Sequence, residues 1–319
     1  MPNVLVTGAN GFIGKALCRR MLTDGWNVRG AVRSFGKKTI LPQGVDGVAI
    51  GNIGADSEWE PVLNGIDAVV HLAARVHVMD EGCTDPNSEY RKINVDGTKH
   101  LARIADTKNV RRFVYLSSIK VNGDGRSDPY TTEDPPAPVD PYGISKLEAE
   151  MVLREIAEET GLEVVILRPP LVYGPGVKAN FLQLIKLINL GIPLPLARIK
   201  NHRSLIFLDN LVDAVLTCIL HPKAAGKTFL LSDGKDVSTA ELIQKISSLL
   251  GRPSRLFSLS PDLLRFFAKV TGRSNAVNRL LDSLTVDSSK ICAELNWKPP
   301  FSIEEGLMET ANWYLQAFG

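Results

Sequence analysis

The chain has 319 residues, 44% hydrophobic and 23% charged, with 37 Lys and Arg against 35 Asp and Glu and a formal net charge of +2. That mixture excludes a disordered polymer and gives no global electrostatic case for nucleic acid, while the length fits two domains of about 150 residues. No apolar run reaches the roughly 18 residues of a membrane span, and residues 1–14 lack the basic start and apolar stretch of a secretory signal.

Residues 3–7, NVLVT, form an apolar strand that ends in a Gly-rich turn. Phe12, Ile13, Ala16, Leu17, Met21 and Leu22 follow at helical spacing. Residues 27–32 and 67–73 read as the next clear strands. The polar stretch 75–90 has turn signals at Gly82 and Asp85-Pro86, and a helix covers 88–107. Residues 112–117, RFVYLS, are a strand, 142–160 a helix and 163–168 a strand. Strands alternating with helices imply parallel βαβ units joined by right-handed crossovers. The expected fold class is therefore α/β, a Rossmann-like doubly wound parallel sheet spanning residues 1–170.

Past residue 170 the alternation weakens, and Pro175, Pro193 and Pro195 punctuate the chain. Helices fit 181–190, 209–220, 238–250 and 303–315, and short strands fit 204–207 and 228–232. These describe a smaller, mostly helical substrate lobe over 171–319, free to interleave with the first domain. A helix over 261–270 starts at Ser260-Pro261 and carries Leu263, Leu264, Phe266, Phe267 and Val270 on a broad apolar face. With only Arg265 and Lys269 basic, it reads as buried or subunit-facing in preference to membrane-binding. Cys18, Cys83, Cys218 and Cys292 form no CxxC pair. The expectation is a reduced, cytoplasmic enzyme without structural zinc or disulfides.

Residues 7–14, TGANGFIG, close the first strand and open the first helix with GxxGxxG spacing. Glycines let the main chain approach a pyrophosphate, and a helix N-terminus offers it unpaired N–H groups. Tyr142 and Lys146 are four residues apart on one helix face. A Tyr is a poor base until a nearby cation lowers its pKa, so the ammonium and a cationic nicotinamide are expected to make Tyr142 a proton carrier. Ser117-Ser118 end a strand at the carboxyl edge of the sheet, where a hydroxyl can meet the substrate oxygen.

These motifs, with HLAA (71–74), NVDGT (94–98), YGISK (142–146), RPPLVYGPG (168–176) and VDSSKICAELNWKPPFSIEEGL (286–307), resemble the extended short-chain dehydrogenases/reductases. Within them the chain is similar to the nucleotide-sugar epimerase/dehydratase branch, over essentially its whole length. The resemblance implies that Gly8, Gly11, Phe12, Ile13 and Gly14 hold the cofactor pyrophosphate. It puts Asn52 and Ile53 near the adenine, Leu72, Ala73 and Ala74 along the cofactor, and Pro169 near the nicotinamide. Ser118, Tyr142 and Lys146 would be the catalytic trio. Asn180, Phe181, Arg203 and Arg279 would meet the diphosphate of a UDP-linked sugar, since two phosphates suit a bidentate cation. The resemblance also implies a homodimer paired through the helices at 88–107 and 142–160.

Three departures refine the expectation. Arg33 stands where NAD-preferring members carry an acidic residue, with Lys37 and Lys38 following. NADP(H) is favoured over NAD(H), the alternative being a solvent-facing arginine. Asn52 stands where the family often has Asp. Ile119-Lys120 replaces the Asp-Glu pair of the 4,6-dehydratases, which argues against water loss. Two enzymatic readings stay open. One is a 4-ketoreductase of a UDP-4-keto-6-deoxy-N-acetylhexosamine, the UDP-N-acetylquinovosamine type of surface-polysaccharide pathways, which Arg33 favours. The other is a 4-epimerase with tightly held NAD. A cofactor-sensing binding protein is the non-enzymatic alternative. Arg75 and His77 either contact the sugar from a covering loop or lie on an exposed one.

Overall fold

In β1 (Asn3–Thr7) successive residues divide between two cores: Val4 and Val6 face one side, Leu5 the other, and all three are fully buried. That is the period of two of a strand covered by helices on both faces. The structure, a computed structural model, describes residues 2–36, 39–76, 86–126, 128–270, 272 and 274–319.

After β1 come α1 (Phe12–Thr23), β2 (Asn27–Val32), β3 (Asp46–Ala49) and β4 (Ala68–His71). Next, α2 (Pro86–Arg91), a π-helical turn (Lys92–Asp96) and α3 (Gly97–Thr107) run on as one interrupted helix. Then follow β5 (Arg112–Leu116), a 3-10 turn (Ile119–Val121), α4 (Pro141–Thr160), β6 (Glu163–Arg168) and β7 (Leu171–Tyr173). The remainder holds α5 (Ala179–Asn189), β8 (Leu205–Phe207), α6 (Leu208–Leu220), β9 (Thr228–Leu230) and α7 (Thr239–Leu249). It ends with α8 (Pro261–Val270), α9 (Ser274–Leu281), α10 (Ser289–Leu295) and α11 (Ile303–Phe318).

Seven parallel strands form one sheet in the order β3-β2-β1-β4-β5-β6-β9. α1 and α6 supply the core on one face through Leu17, Met21, Leu211 and Val215. α3 and α4 supply the other through Leu101, Ala105, Leu153 and Ile156. The strand order reverses between β1 and β4, which opens a crevice at their carboxyl ends, where such sheets bind ligands. β7 and β8 pair separately, beside a third core containing Tyr173, Phe181, Phe207 and Leu307.

The sequence reading missed β3, β7, α9 and α10, which are only four, three, eight and seven residues long. Too short to show a period, they are held by neighbours in space. The helix expected over 88–107 is broken by the π turn at Asn94. β9 crosses back to pair with β6, so the main sheet draws on residues beyond 170. The buried alternative for α8 is corrected: Leu263, Phe266 and Val270 are 40%, 61% and 70% exposed. Among the described residues no helix is long and apolar enough to cross a membrane.

Candidate active site

The Gly-rich turn is built so that no side chain fits. Gly8 has φ +67°, the left-handed region, and a Cβ there would press on the Ala73 nitrogen at 3.1 Å. A Cβ on Gly14 would lie 2.2 Å from the Gly8 carbonyl oxygen. Gly11 caps α1 without a side-chain bond, and no acidic residue occupies the first turn. The N-terminus of α1 therefore faces the crevice with its partial positive charge uncompensated, which suits a pyrophosphate. Phe12 and Ile13 turn instead to the protein, Phe12 against the third core and Ile13 against the first. The cradle fits a dinucleotide.

A buried hydrogen-bond chain joins this turn to the catalytic helix. Thr98 Oγ1 donates to the Asn94 carbonyl at 2.7 Å, so at 3.0 Å it accepts from His71 Nε2. His71 Nδ1 then accepts from Thr7 Oγ1 at 2.7 Å, which assigns the tautomer from the bonding pattern. Thr7 Oγ1 in turn accepts from the Leu72 and Ala73 amides, both at 3.1 Å. Burial, aided by the Lys146 cation, lowers the His71 pKa to about 3, so the ring is neutral. The Asn94 side chain holds both main-chain groups of Arg75 and donates to Ser145 Oγ at 2.9 Å. Sequence reasoning missed this chain. Thr7, His71, Asn94 and Thr98 lie in three separate motifs, TGANGFIG, HLAA and NVDGT, and only the fold brings these into contact.

Asp140 caps α4 by accepting from the Gly143 amide at 2.7 Å, and Pro141 opens the first turn. That cap fixes Tyr142 one residue inside the helix. Ser118, at the end of β5, reaches the Tyr142 phenol and pulls its pKa down. Burial dominates, however, and with Asp140 holds the phenol well above the usual tyrosine range. Lys146, 2% exposed, donates to the Leu116 carbonyl at 2.7 Å and the Tyr115 hydroxyl at 3.1 Å. Its nitrogen lies 6.0 Å from the Tyr142 ring centroid. The trio is assembled, but the ammonium, one of the two cations expected to acidify the phenol, does not offset its burial. Burial lowers the Lys146 pKa to about 7, against the opposing pull of Glu150. A cofactor cation would have to supply the rest.

Pro169 is buried, and its carbonyl accepts from the Ile119 amide at 3.0 Å, which ties the end of β6 to the turn after Ser118. Leu72, Ala73 and Ala74 are half-buried beside the Gly-rich turn. Arg33 is exposed at the end of β2. Asn52 is exposed, whereas Ile53 packs onto Gly97. Arg75 pairs with Glu89 at 3.1 Å and leaves its buried Nε without a partner. His77, Lys37 and Lys38 lie outside the described residues.

On the substrate side, Arg203 donates to the Arg279 carbonyl at 2.6 Å and the Asp282 carbonyl at 3.1 Å. The charges of both arginines reach Lys120, whose pKa burial has already lowered. Lys120 itself pairs with Asp124 and with Asp140 at 3.4 Å, so Arg203 and Arg279 are the cations that suit a diphosphate. Asn180 is exposed on the first turn of α5, after Ala179 at φ +50°. The Phe181 ring is 3% exposed and stacks on Tyr173 at 5.6 Å, so its side chain packs in the third core.

Residues 4–231 match the NAD dependent epimerase/dehydratase family. A UDP-glucose 4-epimerase of Vibrio cholerae is 44% identical over 99% of this chain and 97% of its own length. A crystal structure of UDP-glucuronic acid 4-epimerase from Bacillus cereus in complex with NAD superposes with TM-score 0.81 at 22% identity, over 99% of this chain and 100% of that one. A structure of MoeE5 in complex with UDP-glucose and NAD gives 0.79 at 27% identity, over 99% and 100%. The glycine cradle, the trio at the sheet's carboxyl edge and these likenesses agree: the chain belongs to the NAD dependent epimerase/dehydratase family and is a nucleotide-sugar enzyme.

Proposed function

We propose that the protein is a UDP-sugar 4-epimerase with NAD as its resident cofactor. The observation that carries this is the 44% identity, over nearly the full length of both chains, to a UDP-glucose 4-epimerase. The assembled Ser118, Tyr142 and Lys146 support it. The 4-ketoreductase that Arg33 favoured gives way, since that side chain is merely exposed at a strand end. NAD in the complexes of two structural neighbours likewise supports NAD over NADP.

A bound nicotinamide supplies a hydride acceptor and donor at C4 of the sugar. Tyr142 takes the proton of the 4-hydroxyl as the alcohol is oxidised, and returns a proton to that oxygen when hydride adds back to the opposite face of C4. The Ser118 hydroxyl hydrogen-bonds the same oxygen. Lys146, in its protonated form, places a positive charge near the phenol and stabilises its ionised form. Ile119 and Lys120 offer no carboxylate to remove a proton from C5, so the 4-keto sugar does not lose water. Arg203 and Arg279 hold the diphosphate while the sugar turns over. We also propose a homodimer through α3 and α4, where Ile144 and Met151 are 44% and 51% exposed.

The test is direct. Purified protein without added nucleotide should interconvert UDP-glucose and its C4 epimer, and denaturation should release NAD. Consumption of NADPH against a UDP-4-keto sugar, with no epimerisation, would restore the reductase.

A further inference from the structure

We propose that Glu150 is a positioning residue for this reaction: its buried carboxylate ties together the ends of β5, α4 and β6 that carry the catalytic groups and sets the charge facing Lys146. The inference rests on the epimerase reading for its kinetic readout.

Glu150 is 0% exposed and lies two helical turns after Tyr142 and one after Lys146. Its Oε1 accepts from Ser117 Oγ at 2.5 Å and Arg168 Nε at 2.9 Å. Its Oε2 accepts from Arg168 Nη2 at 2.6 Å and Arg154 Nη2 at 3.1 Å. Arg168 also donates to Asn122 Oδ1 at 3.0 Å, in the turn that follows Ser118. Two of these contacts, and Glu150 itself, adjoin working residues. Ser117 precedes Ser118, Arg168 precedes Pro169, and Glu150 shares a helix face with Lys146. A buried ion pair is a weak source of stability, because desolvation offsets much of the attraction. Its better-attested use is to select one arrangement, here the mutual placement of three elements.

The electrostatics agree. Around Lys146 lie Tyr142 and Glu150 on α4, Tyr115 on β5, His71 on β4 and, across Glu150, Arg168 on β6. Glu150 opposes the effect of burial on Lys146, whereas neutral His71 adds no charge. Without the carboxylate the ammonium would lose its proton at lower pH.

Protein labelled with 13Cε-lysine reports the Lys146 titration, its signal assigned by loss in Lys146→Arg. In Glu150→Gln the midpoint should fall by about one pH unit. The alkaline limb of kcat should fall with it, so that kcat drops about fivefold more at pH 8 than at pH 6 while KM for UDP-glucose holds within about twofold. Glu150→Asp should bring the midpoint back. A Glu150→Gln midpoint within about 0.3 pH unit of wild type overturns the electrostatic role. Ser117→Ala keeps every charge and cuts only the tie to β5, and remains informative should Glu150→Gln fail to fold. It should lower kcat about tenfold with the midpoint unmoved, and wild-type kcat would overturn the positioning role. Absence of epimerisation by the wild type would sink the functional reading, while the lysine titration would still decide this one.

Discussion

Lys146 donates its proton to the main-chain carbonyl of Leu116 at 2.7 Å, inside a site where 2% of the residue is exposed. Burial penalises the charged form and lowers the lysine's pKa to about 7, against the opposing pull of Glu150, so its protonation is balanced near neutral pH. Its removal is expected to separate function from stability. Lys146→Met should lower kcat at least about 100-fold while leaving the thermal midpoint unchanged or raised, because a buried cation has been removed. Calorimetry alongside the epimerase assay checks both halves. A melting point lower by several degrees would show that the ammonium is a net stabiliser.

His71 gives the acid stability a definite sign. Its folded pKa is about 3 against an ordinary 6.5, so between those values the unfolded chain binds more protons. Stability from this group is present above pH 6.5 and is lost as the pH falls towards 3. His71→Asn should remove that dependence. The loss of unfolding free energy between pH 7 and 4.5, measured in urea, should shrink by about 2 kcal/mol relative to wild type. Parallel curves for the two proteins would contradict the assigned neutral imidazole.

Gly14 tests the cradle. An added Cβ would sit 2.2 Å from the Gly8 carbonyl, which is main chain and cannot swing aside. Gly14→Ala should therefore cost about 2–3 kcal/mol of stability through overpacking and weaken NAD binding by more than about tenfold. Isothermal titration with NAD and a denaturant melt give the two numbers. An unaltered affinity would mean that the dinucleotide does not lie on this turn.

Arg33 decides the cofactor question experimentally. It is exposed at the end of β2, the strand edge where an acidic residue would hold a ribose 2′-hydroxyl. Arg33→Ala should leave NAD affinity and epimerisation within about threefold and weaken NADP binding about tenfold or more. An equal loss for both nucleotides would assign Arg33 to the adenine or the fold.

Much of this protein was legible in the chain itself. The apolar runs at 3–7, 112–116 and 163–168 are continuous because parallel strands are buried on both faces, so the doubly wound sheet was readable. TGANGFIG and YGISK were readable too, since their chemistry needs residues at fixed local spacing. The tertiary structure alone decided what depends on groups far apart in sequence. His71 bonds Thr7 and Thr98, 64 and 27 residues away, and Glu150 bonds Ser117 and Arg168, 33 and 18 away. It also decided that burial outweighs the Lys146–Tyr142 pairing suggested by their spacing, and that Phe181 belongs to a core. Desolvation and hydrogen bonding depend on what surrounds a side chain in space, and a linear pattern carries no record of that neighbourhood.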